Sequence, residues 1–267
     1  MTRPPSNVLI TGASAGIGEA IARRYAGRGD HLIVTARRVD RLESLAVELR
    51  GAHGITVTVL PADLAETGAA DRLGDRLDEA GLTVDVLVNN AGFGALGHVH
   101  TLDAQRQVDM VRVNVGALTE LTRRLLPGMV ERGRGAVLNV ASTAAFQAGP
   151  HMAVYYATKA YVVSFTEALA EELRGTGVTA TALCPGPTAT EFGEAADMAD
   201  SKLFRLGTMS ADRVAAAGVR GAAAGRVIVV PGLSNRLGAV LAKFLPRAAT
   251  RRLVKRLQQP GSASHAE

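Results

Sequence analysis

The chain has 267 residues and a formal net charge of +5; 47% of its residues are apolar, 4% are aromatic, and it holds one cysteine and no tryptophan. That length and composition fit one large packed domain and exclude a collagen-like or disordered chain. The lone Cys184 excludes an intramolecular disulfide and points to a reducing, cytoplasmic setting.

Strand-like and helix-like stretches alternate from the start, which predicts a parallel sheet covered on both faces. Residues 8–11 form a short apolar run ending in a glycine turn. Residues 17–29 have helical spacing, 32–35 read as a buried strand, and 38–50 repeat Leu42, Leu45, Ala46 and Leu49 on one helical face. A strand at 56–60 and a helix at 65–80 follow, then a strand at 84–88. A long helix is predicted over 103–132, interrupted near its end by Pro127-Gly128. Next come a strand at 136–140, a helix at 154–174, a strand at 178–183, a helix at 211–224 and a strand at 226–230. The segment 188–210 has no strong period and is the expected mobile substrate lid. The whole reads as a single doubly wound α/β domain, Rossmann-type, with a mainly parallel seven-stranded sheet over residues 1–232. No basic segment followed by a long apolar core opens the chain, so no signal peptide is expected. No apolar run reaches the roughly 18–20 residues of a membrane span.

Residues 233–267 form a basic amphipathic extension. Between Asp212 and Glu267 there are ten basic residues and no acidic one, and Pro246 splits the apolar spacing of 233–258 in two. Packing on the core or on another subunit is the favoured reading, while a basic amphipathic helix can also lie on an anionic membrane surface. Nucleic acid is not an expected partner, because no aromatic platform accompanies the charge.

Three features carry chemistry. Strand one runs into Gly12-Ala13-Ser14-Ala15-Gly16-Ile17-Gly18 and a helix, so bare backbone and free helix N–H groups can approach a pyrophosphate. Strand two ends at Arg37-Arg38 rather than at an acidic residue, which suits a 2′-phosphate and hence NADP, with Arg37 the favoured ligand. Tyr155 and Lys159 lie four apart on one helical face, and Ser142 lies thirteen residues before Tyr155. An ammonium beside the phenol would draw its pKa down from about 10, and the serine would hold the oxygen whose charge changes. No histidine pair has zinc-site spacing, so no catalytic metal is expected. Phe93, Phe146, Met152, Phe192 and Phe204 fall in loops beside this site and suggest either an apolar substrate wall or core packing.

With TGASAGIG at 11–18, Asp63, NNAG at 89–92, Asn114, Ser142, YYATK at 155–159 and PGPTAT at 185–190 in this order, residues 7–232 resemble the short-chain dehydrogenase/reductase family. The resemblance implies reversible hydride transfer between NADP(H) and a carbonyl/alcohol pair; the alternative reading is an NADP(H)-binding sensor or scaffold protein without turnover. The resemblance makes Tyr155 the proton donor or acceptor, Lys159 its partner and ribose ligand, Ser142 the substrate-oxygen ligand and Asn114 the anchor of a relay water. It assigns Gly12, Ser14, Gly16, Ile17 and Gly18 to the phosphate turn, Asp63 and Leu64 to the adenine, and Asn89, Ala91 and Gly92 to the adenosine flank and the sheet. Pro185, Gly186, Thr188 and Thr190 would line the nicotinamide side. Ala15 stands where some NADP-preferring members carry a basic residue. Subunit pairing through the helices at 103–132 and 154–174 is the family habit, so a homo-oligomer is implied.

Overall fold

The computed structural model describes residues 4–196, 198, 201–205 and 207–258. Seven parallel strands form one sheet: β1 (Asn7–Thr11), β2 (His31–Thr35), β3 (Val57–Val59), β4 (Val86–Asn89), β5 (Gly135–Val140), β6 (Val178–Leu183) and, last in the chain, Ile228–Val229. Two short strands lie between the last pair, β7 (Thr188–Ala189) and β8 (Met209–Ser210), so Ile228–Val229 is β9. The spatial order is β3-β2-β1-β4-β5-β6-β9, with β1 paired in register to both β2 and β4. The chain reverses its direction of sheet growth between β1 and β4. The connections that leave their carboxyl ends therefore run to opposite faces of the sheet and open a crevice, the place where open α/β sheets bind ligands.

Helices cover both faces because the central strands bury side chains, mostly apolar, on both sides. On one face α1 (Gly16–Ala26), α2 (Val39–His53) and α9 (Ala211–Ala223) bury Ile21, Tyr25, Leu42, Leu49, Val214 and Val219 against Val8, Ile10 and Val34. Gly221 lets α9 press onto the sheet edge, since a Cβ there would meet Val229 at 2.3 Å. On the other face α3 (Ala69–Glu79), α5 (Leu118–Glu131) and α6 (Ala153–Glu172) bury Leu73, Leu77, Leu121, Met129 and Leu169 against Leu9, Leu87 and Val137. A polar seam crosses this second face. Asn89 donates to Asn139 (2.9 Å) and Thr122 (3.0 Å), and Asn139 donates to Thr166 (2.9 Å), so each buried amide is satisfied.

Three expected elements differ. The helix predicted from 65 begins at Ala69, because Asp63 holds residues 65–66 in a turn by accepting from the Ala65 N–H. The helix predicted over 103–132 is continuous but has three parts: α4 (Ala104–Val111), a π-turn at Arg112–Ala117, and α5. Pro127 does not break it; Pro127 and Arg123, the residue whose carbonyl its missing N–H would serve, both lie on the exposed side. The segment 188–210 contains the short helices α7 (Phe192–Ala195) and α8 (Lys202–Arg205), and its two ends are joined by the β7–β8 pair. Beyond β9, α10 (Leu233–Phe244) and α11 (Arg247–Gln258) complete the described chain.

Candidate active site

A cleft of about 810 Å³ runs over the carboxyl ends of the strands. At one end it is built from backbone. Ala15 precedes α1 without a side-chain cap, so the first N–H groups of the helix stay open to an anion. Gly18 keeps the turn this tight: a Cβ there would lie 2.3 Å from the Gly12 carbonyl oxygen. The Thr11 hydroxyl accepts from the Asn90 and Ala91 N–H groups (3.0 and 2.9 Å), tying the end of β1 to the NNAG loop. Asn90 returns the link through its side chain, donating to the Thr11 and Gly12 carbonyls at 2.9 and 3.1 Å.

Arg37 and Arg38 both edge this end of the cleft. Arg38, rather than the favoured Arg37, is the one held across it. It reaches Ser14 Oγ at 3.4 Å and pairs with Glu191, in the 188–210 segment, at 2.8 Å. Asp63, Leu64, Ala91, Gly92, Pro185, Gly186, Thr188 and Thr190 continue the wall, with Ser14, Gly16 and Ile17 beside the turn. Asn89, Gly18 and Asn114 do not line it. Asn89 points into the sheet's polar seam, and Asn90 takes the place at the cleft. The donor set fits a dinucleotide: an uncapped helix N-terminus, a turn with no room for a Cβ, and guanidinium groups beyond it.

The reactive side chains converge in the middle. α6 places Tyr155 and Lys159 on one face, 9% and 5% exposed. Ser142, just past the end of β5, accepts from the Ala144 N–H at 3.1 Å and donates to the Pro185 carbonyl at 3.4 Å, so its position is fixed by backbone. The Lys159 ammonium donates to the Val140 carbonyl at 2.8 Å. Burial pushes Lys159 down to about 8, with Cys184 nearby opposing that shift. Burial pushes Tyr155 up to about 12, and the nearby Ser142 hydroxyl opposes the rise. The expected depression of Tyr155 by Lys159 is therefore not seen. The ammonium lies 5.9 Å from the phenol ring centre, is engaged by Val140, and is itself weakened by desolvation.

The π-turn turns Asn114 inward. Its amide donates to the Phe93 carbonyl and to Thr158 Oγ1, both at 3.0 Å, and its carbonyl oxygen accepts from the Phe93 N–H at 3.1 Å. In this state Asn114 joins the NNAG loop to α6 and so holds the distance between the two walls. No signal in the sequence announces the π-turn.

The far end of the cleft is apolar. Phe93, Met152, Phe192 and Phe204 line it, with the Phe192 ring 5.4 Å from that of Tyr155. Phe146 instead packs beside Val162 and Val163, away from the cleft. From the C-terminal extension, Val254, Leu257 and Gln258 of α11 also face it, and Val254 is buried among Met152, Tyr155 and Tyr156. None of the five described histidines lines the cleft, and among the described residues no cluster of histidine, cysteine or carboxylates could hold a metal.

The short chain dehydrogenase family pattern matches residues 6–200. An NADP-dependent 3-hydroxy acid dehydrogenase of Salmonella typhi is 40% identical over 187 residues, covering 69% of this chain and 74% of its own length. A Sphingobium yanoikuyae short-chain dehydrogenase solved in complex with NADPH is 32% identical, covers 98% of this chain and 99% of its own, and superposes with a TM-score of 0.80. A bulky-bulky ketone specific alcohol dehydrogenase from Comamonas testosteroni is 28% identical, with 98% of each chain covered and a TM-score of 0.76.

Proposed function

This chain belongs to the short-chain dehydrogenase family and is an NADP-dependent oxidoreductase of carbonyl/alcohol pairs, and from that premise we propose how its own residues reduce an apolar ketone. NADPH, when bound, supplies the hydride that reaches the carbonyl carbon. Ser142 and Tyr155 hydrogen-bond the carbonyl oxygen. As negative charge develops there, the Tyr155 hydroxyl delivers its proton to it. A phenol kept neutral by burial is matched to that task, because an alkoxide is far more basic than a phenolate even at a pKa of about 12. Lys159 binds ribose hydroxyls and, once engaged there, holds positive charge behind the phenol. Arg38, with Arg37 beside it, takes the 2′-phosphate, and Gly12 to Gly18 and the α1 N-terminus take the pyrophosphate. The water-anchoring role of Asn114 would fall to its backbone, since its side chain is fully engaged.

One observation carries this reading: the desolvated Tyr155 and its partner Ser142 share a single cleft with the uncapped α1 turn. An apolar, bulky ketone is supported by the wall of Met152, Phe192, Phe204, Val254 and Leu257 and by the likeness to the bulky-ketone enzyme. The test is NADPH oxidation across aryl and alkyl ketones, with Tyr155→Phe beside wild type. A loss of about a thousandfold in kcat/KM with unchanged NADPH fluorescence binding is expected. A variant that keeps wild-type turnover removes Tyr155 from the mechanism.

We also propose that the chain pairs with itself through α4, α5 and α6, where Val108, Val111 and Tyr161 expose apolar surface and Tyr161 stacks on Phe165. Among the described residues no helix is long and apolar enough to cross a membrane. α10 exposes Leu233, Leu237, Val240 and Phe244 along one side, which supports a second contact there, with another subunit or an anionic membrane surface.

A further inference from the structure

α11 is seated by a stripe at four-residue spacing. Thr250, Val254 and Gln258 are buried, while Arg251, Arg252, Lys255 and Arg256 face solvent. Two of the three buried positions are polar, and Gln258 is only 1% exposed. Its amide nitrogen donates to the Tyr156 hydroxyl at 2.7 Å. Its amide oxygen is buried too, and has no hydrogen-bond partner among the described residues. A leucine or methionine would seat the helix without that desolvation penalty. Both Gln258 and Tyr156 line the cleft, beside the apolar wall and next to Tyr155, whose ring centre is 6.1 Å from that of Tyr156.

From this arrangement, and resting on the carbonyl-reductase reading above, we infer that Gln258 and Tyr156 form a second polar subsite that binds a hydroxyl group on the ketone substrate, apart from the carbonyl held at Tyr155. The pair offers complementary halves. With Tyr156 accepting from the amide, its own O–H remains to donate, and the Gln258 oxygen remains to accept. A hydroxyl both donates and accepts, so it satisfies the two together. If the amide were turned over, Tyr156 would donate to the oxygen and the free NH₂ would still serve a hydroxyl as donor. A carboxylate cannot pair with the Gln258 oxygen, and a methyl leaves it orphaned. Burial, with Tyr155 adding to it, raises the Tyr156 hydroxyl above its ordinary pKa, so it stays a donor throughout the working range. The substrate class is thus a hydroxy-ketone with an apolar body between its two oxygen functions.

The experiment is calorimetric titration of NADP⁺-loaded protein with 2′-, 3′- and 4′-hydroxyacetophenone, each against its methyl counterpart. In wild type at least one hydroxyl isomer should bind about tenfold tighter than its methyl partner. That preference should vanish in Gln258→Met and, independently, in Tyr156→Phe, while both variants keep wild-type NADPH affinity. Equal binding of every pair in wild type, or a preference that survives both substitutions, overturns the subsite. Turnover in Tyr155→Phe reports separately: activity surviving there would sink the catalytic reading and leave the binding preference standing.

Discussion

Tyr155 and Lys159 are both held in their neutral-leaning forms by the same cause, loss of water, and this has a measurable consequence for Lys159. Its folded-state pKa of about 8 lies below the ordinary 10.5. Between those values the unfolded chain binds a proton that the folded one does not, so stability rises with pH across that window. Melting temperatures of the protein without cofactor, read from pH 8 to pH 10, should shift in favour of wild type relative to Lys159→Met as pH rises; parallel curves would show that the lysine is not desolvated. At the other end of the cleft Arg38 has two suitors, Glu191 and the 2′-phosphate. Arg38→Ala should weaken NADPH binding about tenfold and leave NADH nearly unchanged in fluorescence titrations; an equal loss for both cofactors would move the phosphate contact to Arg37. The residue types for this chemistry were legible in the sequence because motif spacing fixes them to strand ends. Which of two neighbours reaches across the cleft or lines it was not. Arg37 against Arg38, and Asn89 against Asn90, differ only in which face of the chain each occupies as the strand gives way to its loop. There the period-two pattern has already ended.

Elements were legible wherever an apolar stripe ran long enough to show its period. β1 through β6 and the helices α1, α2 and α6 all stand close to their expected places for that reason. The π-turn was hidden because one extra residue per turn hardly alters a helical pattern over six residues. The role of α11 was hidden differently: its buried stripe includes Thr250 and Gln258, which a count of apolar positions passes over. A chain ending at Leu245 tests that role. It should retain the sheet and bind NADPH as wild type does, because the cofactor end owes nothing to α11. Its KM for apolar ketones should rise about tenfold as Val254, Leu257 and Gln258 leave the wall. An unchanged KM would make α11 a bystander at the cleft.

At the scale of the whole molecule the question is what covers the remaining apolar surface. Sedimentation should give a dimer or a larger closed assembly, and Val111→Arg combined with Tyr161→Arg should reduce it toward the monomer. If the double variant sediments as wild type, the exposed side of α10 becomes the candidate interface. Flotation with anionic vesicles, comparing the full chain with one ending at Gly232, then decides whether lipid is its partner. Cys184 makes such experiments unusually clean. The chain's single thiol is fully buried at the end of β6, and burial pushes its pKa up to about 12. Thiolate is the reactive form, so this sulfur resists maleimide dyes and mild oxidants. A cysteine placed at exposed Leu253 on α11 would be the only one to take a label, and its fluorescence would report the opening and closing of the cleft in a protein that needs no background cysteine removed.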